Sequence, residues 1–215
     1  GLMNMNSGLV QSCDVYFYEV AKWVGVDGIA AMARRFGLGE RLGIELPSEQ
    51  KGLVPTRDWK LAVRGVPWQN GETLIIGIGQ GFLLTTPLQL AIMTARIANG
   101  GIAVLPKLLR ETQRVGRRLP DTREAFPSMG LSAVHLAVVQ KGMADVANSP
   151  RGTAFRARIE EPGMAMAGKT GSVQVKRITK AERERGVRKH EDRVWKDRDH
   201  ALFVGYAPVD SPRYA

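Results

Sequence analysis

The chain has 215 residues, 44% of them hydrophobic and 24% charged, and a formal net charge of +10. That length suits one domain with a sizeable core, or two small domains at most. It contains no run near the roughly 18 apolar residues of a membrane helix, and Gly1-Leu2-Met3-Asn4-Met5-Asn6 lacks the basic and apolar blocks of a secretion signal; any anchor is expected outside this chain.

The first predicted helix runs from about Asp14 to Val24. Phe17, Val20, Ala21 and Val24 share one face at helical spacing, and Gly25 stops it. Asp27 caps a second helix with Ile29, Ala33 and Phe36 on its apolar face, ending at Gly37. Residues 38–70 are rich in Gly, Pro, Trp and charge, and read as loop with short extended pieces. A helix from Pro87 to about Asn99 has the clearest punctuation. Thr86 is its N-cap, Pro87 its first residue and Gln89 the third, a capping-box pattern. Leu88, Ala91, Ile92 and Ala95 are its expected buried stripe. Gly100-Gly101 turn the chain into Ile102-Ala103-Val104-Leu105, a predicted strand. Leu136, Val139, Met143 and Val146 give one face to a helix over about Leu131 to Ala147. His135 on that helix reads as structural.

The last third changes character. Met164 to Val175 and Ala201 to Ala207 read as strands, the second covered on both faces because Ala201-Leu202-Phe203-Val204 is continuously apolar. Between them, Lys176 to Arg198 holds ten Lys/Arg and five Asp/Glu. Such a basic excursion favours anionic partners, yet most charge runs are solvated faces. Trp195 aside, it lacks the aromatic platforms of single-strand binders, so no nucleic-acid role is expected. Cys13 is the only cysteine, which excludes an internal disulfide and a cysteine-built zinc site. No metal and no cofactor is expected. Helices first and strands late predict an α+β fold.

Three constellations bear on chemistry. Gly77-Ile78-Gly79-Gln80-Gly81 is not a dinucleotide fingerprint, because its spacing is wrong and Phe82 stands at the third glycine position. Its glycines are expected to allow close packing against a helix. Lys169-Thr170-Gly171, preceded by Gly168 and continued by Ser172-Val173, puts a cation, a hydroxyl and an unobstructed backbone at a strand start. Ser12-Cys13-Asp14 places a hydroxyl and an acceptor at a helix start, where a capping role is the plain alternative. Alone, each tripeptide is a weak signal.

Their order is stronger. Serine acyl-transfer enzymes use S-x-x-K, then S-x-N or S-D-N, then K-T-G. The second and third elements occur here in that order. Thr86-Pro87-Leu88-Gln89-Leu90-Ala91 and Arg151-Gly152-Thr153-Ala154 resemble segments of high-molecular-weight penicillin-binding proteins. Ser12-Cys13-Asp14-Val15-Tyr16-Phe17-Tyr18, the 77–81 glycine segment, Arg198-Asp199-His200-Ala201-Leu202-Phe203-Val204 and the charged insertion resemble the elongation-type class B branch, the penicillin-binding protein 2 subfamily. The match runs from about residue 4 to the end. Asp14 stands where most relatives carry Asn. No S-x-x-K precedes Ser12, which has only eleven residues before it, and the end resembles a turn entering a missing strand. The resemblance therefore implies a penicillin-binding, serine β-lactamase-like transpeptidase fold, an antiparallel sheet flanked by helices, incomplete at both ends. Residues 1–215 would be a partial transpeptidase domain and 176–199 a charged insertion between two strands.

The resemblance also implies a reaction. A serine attacks the D-Ala-D-Ala bond of a peptidoglycan stem peptide, and β-lactams mimic that substrate. Ser12 would pass a proton toward the leaving amine and Lys169 would supply positive charge beside it. Asp14 would help hold the substrate amide and, accepting only, would lean on Lys169. Thr170 would bind the terminal carboxylate, Gly171 would let the substrate lie close, and the Ser172 N–H would form half of the oxyanion hole. The intact parent would act at the periplasmic face of a bacterial inner membrane, with a membrane glycan polymerase and elongation-complex proteins as partners; the nucleophile lying elsewhere, this chain alone would be inactive. A penicillin sensor or other non-catalytic module, and a serine β-lactamase or carboxypeptidase, are the alternatives. Strand alternation places Lys169 and Thr170 on opposite faces, so either the strand twists sharply or the lysine curls round its edge.

Overall fold

The computed structural model describes residues 2–44, 46–108, 126–176, 178–187, 189 and 191–215. Its helices are α1 (Met5–Val10), α2 (Asp14–Arg35), α3 (Arg57–Arg64), α4 (Asn70–Gly77), α5 (Pro87–Ala98), α6 (Ala133–Asn148) and α7 (Lys180–Arg185). The strands are β1 (Ala167–Val173) and β2 (His200–Tyr206), paired antiparallel with Lys169 opposite Val204 and Thr170 opposite Phe203. The α+β class holds, with helices first and the hairpin late.

Several local expectations are met for the stated reasons. Gly25, at φ 73°, interrupts α2 where a stop was predicted, and the two halves continue across the kink. Thr86 accepts the Gln89 N–H and the Gln89 side chain accepts the Thr86 N–H, closing the capping box of α5. On α6, Leu136, Met143 and Val146 are buried, and Val139 is partly buried. Fully burying such side chains contributes about 2 kcal/mol each. Leu136 and Met143 join Ile97, Ala167 and Tyr206 in a core between α5, α6 and the hairpin, with Val139 packed against it. A second cluster, Ala30, Leu38 and Val54, lies under α2.

Other expectations are corrected. α1 went unpredicted because six residues show no period; a box between Asn4 and Ser7 starts it. Residues 38–70 hold α3, capped by Thr56 and ended by Gly65 in the left-handed region. Lys60 on α3 is 4% exposed and donates to both Glu72 oxygens at 2.6 Å and to Pro67 O at 2.9 Å. Trp59 and Trp68 pack against Phe82 beside it with their rings tilted by 59°. Of the expected α5 stripe only Ile92 is buried; Leu88, Ala91 and Ala95 are half-buried, and the buried face is Gln89, Ile92, Thr94, Arg96 and Ile97. Gln89 donates to Glu40 O and Lys51 O, and Arg96 to Val104 O and Arg35 O, so both polar side chains are buried and tie surrounding loops down. Ile102 makes one isolated bridge to Ser128, not a strand; the Val104 N–H turns back to Ile102 O at 2.8 Å, and Val104 O accepts from Arg96. β2 is exposed from His200 to Phe203 rather than covered on both faces. Its outer side borders an apolar groove of about 440 Å³, lined by α5, β2 and Tyr214.

The charged segment between the strands contains α7. Thr179 accepts the Glu182 N–H, and Glu182 accepts from the Thr179 N–H and hydroxyl. Lys176 reaches both Glu182 and Asp197, so part of the charge is neutralised internally. No helix among the described residues is long and apolar enough to cross a membrane.

Candidate active site

The candidate residues come from opposite ends of the chain and meet in space. Ser12 sits between α1 and α2. Its N–H donates to Leu9 O at 3.2 Å, its φ is 52°, and its side chain is exposed. A non-glycine residue in the left-handed region costs on the order of 1–3 kcal/mol and is held there by its surroundings. Neither Ser12 nor Asp14 caps α2 through its side chain; the N-cap is Cys13, with no side-chain bond, and Asp14 is the first helical residue. The Ser12 hydroxyl instead accepts from Lys169 Nζ at 2.8 Å, across 157 residues of sequence.

The alternation problem has a direct answer. Lys169 Nζ also donates to the carbonyl of Thr170 at 2.8 Å, so the lysine folds over its own strand edge. That edge faces away from β2. Ser172 O and Gln174 N–H bond to Gln80 rather than to β2, and in an antiparallel pair the backbone groups of residues two apart share an edge. Thr170 O and the Ser172 N–H therefore lie on the same open side as Ser12. Burial pushes the Lys169 ammonium below the usual lysine range, and the Asp14 carboxylate opposes that shift. A cation, a hydroxyl it contacts and a free backbone N–H are thus assembled at one edge, a set able to move a proton and to stabilise a developing oxyanion. Gly168 is required beside them. A Cβ there would lie 2.3 Å from Phe203 Cζ and 2.6 Å from Val204 O. Gly171, by contrast, could take a Cβ without strain, its nearest neighbour being Leu202 Cβ at 4.0 Å.

No sequence pattern gave Thr153 a role, yet its hydroxyl lies 2.7 Å from that of Thr170. Thr153 N–H donates to Val10 O at 3.3 Å, pinning this loop to the α1 end that carries Ser12. Gly152 makes the approach possible. A Cβ there would stand 2.1 Å from Val146 O and 2.6 Å from Asp145 O, both backbone atoms of α6. Gly152→Ala is therefore expected to destabilise the fold by about 1–3 kcal/mol. Denaturant unfolding checks this, and a loss under about 0.5 kcal/mol would show that the loop yields easily.

A serine and lysine at S-x-x-K spacing do occur downstream of Ser12, as Ser48-Glu49-Gln50-Lys51. They lie in a turn and loop, not on a helix, and their backbone is anchored by Gln89 through Lys51 O. Glu49 is occupied with the N–H groups of Leu42 and Gly43. Among the described residues no three His, Cys, Asp or Glu gather in a way that would hold a metal ion.

Residues 1–215 match the penicillin binding protein transpeptidase domain. The chain is 39% identical over 219 residues to peptidoglycan D,D-transpeptidase MrdA of Acinetobacter baumannii, covering 100% of this chain and 31% of that protein. It is 34% identical over 216 residues to MrdA of Escherichia coli K12, covering 100% and 33%. Among solved structures it is similar to Pseudomonas aeruginosa PBP2 in complex with WCK 5153, with a TM-score of 0.80 and 35% identity over 99% of this chain and 43% of that one. Helicobacter pylori PBP2, solved in complex with MreC, gives a TM-score of 0.79 at 29% identity, covering 99% and 35%. The chain spans about a third of the length of the MrdA relatives it matches. It belongs to the penicillin-binding protein transpeptidase domain family, in the penicillin-binding protein 2 branch.

Proposed function

We propose that these residues are part of a peptidoglycan D,D-transpeptidase, a partial transpeptidase domain with the 176–199 segment as an insertion in its hairpin. The observation that carries the reading is the contact between Lys169 Nζ and Ser12 Oγ, which joins the second and third motifs into one site. In the reaction, an upstream serine attacks the carbonyl of the penultimate D-alanine. Lys169 holds positive charge at the Ser12 hydroxyl, and Ser12 delivers a proton to the departing D-alanine amine. Thr170, with Thr153 against it, receives the terminal carboxylate. The Ser172 N–H stabilises the oxyanion; loss of such a donor typically costs about 10²–10³ in rate. Asp14 orients the substrate amide and supports the charge on Lys169. On this reading the intact protein acts at the periplasmic face of a bacterial inner membrane, beside a glycan polymerase. A partner resembling the MreC bound by the Helicobacter pylori relative is expected there.

A fluorescent penicillin tests the reading. The intact protein is expected to form a covalent adduct and this chain alone none, since no S-x-x-K precedes Ser12. A labelled band on the isolated chain would refute the placement of the nucleophile outside it.

The pH profile gives an independent check. Asp14→Asn removes the carboxylate that opposes the burial shift of Lys169. The lysine then loses its proton at lower pH, so the alkaline limb of penicillin acylation by the intact protein moves toward acid. An unmoved limb, or one displaced toward base, contradicts the Asp14–Lys169 coupling.

A further inference from the structure

The glycine segment that follows α4 has a use that the motif chemistry leaves unassigned. Gly77 lets α4 touch α2, since a Cβ there would lie 2.4 Å from Ala21 Cβ. Gly79 and Gly81 both have φ of 78°, so they turn the chain where other residues would be strained. Between them, the Gln80 N–H donates to Ile75 O at 3.0 Å. The backbone of Gln80 is thereby fixed to α4, and α4 to the helix that starts at Asp14.

From this mount the side chain spans to the open edge of β1. Nε2 donates to Ser172 O at 2.6 Å, and Oε1 accepts from Gln174 N–H at 3.3 Å. A carboxamide bonded to the carbonyl of one residue and the N–H of the residue two further on copies one rung of a parallel β-ladder. β1 has reason to need it. Its C-terminal half pairs only with His200, Ala201 and Leu202, which are exposed, and beyond Val173 the chain leaves on the long charged excursion. An isolated two-stranded pairing is marginal in water.

We propose that Gln80 is a positioning residue, a two-point clamp that holds the Ser172–Gln174 edge of β1 at a fixed distance from α2 and so aims the Ser172 N–H at the reacting carbonyl. Its mechanical half stands on the hydrogen bonds alone; its catalytic half rests on the transpeptidase reading. Ser12 and Asp14 belong to the start of α2 and Ser172 to β1, so the clamp sets the distance between proton relay and oxyanion donor along that edge. Gln80 itself touches no reacting atom.

Two readouts in the intact protein test this. In Gln80→Ala, amide exchange at Gln174 is expected to accelerate about tenfold or more while the amides of α4 keep their protection. With a fluorescent penicillin, the acylation rate constant is expected to fall about tenfold while the dissociation constant of the initial complex changes less than about twofold, because a misaimed donor is felt in the transition state. Gln80→Glu keeps the acceptor for Gln174 but sets a carboxylate oxygen against Ser172 O, so it should preserve Gln174 protection better than Gln80→Ala and still slow acylation. Unchanged exchange at Gln174 in Gln80→Ala overturns the clamp. Unchanged acylation overturns the positioning role, and faster acylation does so by showing that the side chain blocks the edge. If the wild-type protein took up no penicillin at all, the transpeptidase reading would fail while the exchange measurement still decided the clamp.

Discussion

Replacing Lys169 by alanine in the intact protein should slow penicillin acylation by about 10²–10⁴-fold, the range of a positioned acid–base group. Three features make the loss large. The ammonium is the donor to Ser12 Oγ, so the serine loses the charge that biases its proton. The same ammonium holds Thr170 O, so the strand edge loses a bond beside the Ser172 N–H. Asp14 is also left without the cation it faces. Lys169→Arg is a useful companion. It keeps the charge in a planar, bulkier head that does not give up its proton, so it should recover binding of the drug before it recovers acylation. Acylation by Lys169→Ala at the wild-type rate would mean that the third motif is misplaced.

The largest stability effect is expected away from the site, at Lys60. Lys60→Met leaves Glu72 facing an apolar pocket without its cation. Breaking a fully buried pair costs about 3–5 kcal/mol; because the Glu72 side chain keeps 23% of its surface exposed, about 2–3 kcal/mol is expected. Adding Glu72→Gln should return part of that loss, since glutamine still accepts the Gln69 N–H that starts α4. The pH dependence has a definite sign. Burial raises the Glu72 carboxyl, but Lys60 and the Gln69 N–H outweigh it, and the net position is below the ordinary 4.5. A carboxylate held below its unfolded value contributes stability above that value and loses it as the pH falls through the folded one. The gap between wild type and Lys60→Met should therefore narrow in acid. Urea unfolding at neutral and acid pH measures it; a gap that widens in acid contradicts the assignment.

Lys60 also shows why part of the fold was hidden in the sequence. A buried lysine in a stretch of Trp, Pro and Gly has the composition of a loop, and the helix it stabilises depends on a partner twelve residues away. Gln89 and Arg96 on α5 repeat the lesson: polar residues were excluded from the predicted stripe, yet they are buried because loop carbonyls from elsewhere satisfy them. By contrast, the Thr86–Gln89 box, the Gly25 break and the α6 face were legible because each depends on neighbours within a few turns. The two motif tripeptides were legible only through their order and flanking segments. Thr153 and Gln80 show no role in the sequence, since their partners, Thr170 and Ser172, are brought to them by the tertiary fold. The exposed face of β2 was misjudged because an apolar run reports what a strand can bury, not what covers it.

The central claim is that Ser12, Lys169, Thr170 and Ser172 act on one substrate. A crystal structure of the intact protein acylated by a penicillin tests it most directly. The acyl carbonyl oxygen is expected within hydrogen-bond reach of the Ser172 N–H, the drug carboxylate at the Thr170 and Thr153 hydroxyls, and Lys169 Nζ still on Ser12 Oγ. An acyl group attached elsewhere, or a carboxylate held away from Thr170, would contradict it.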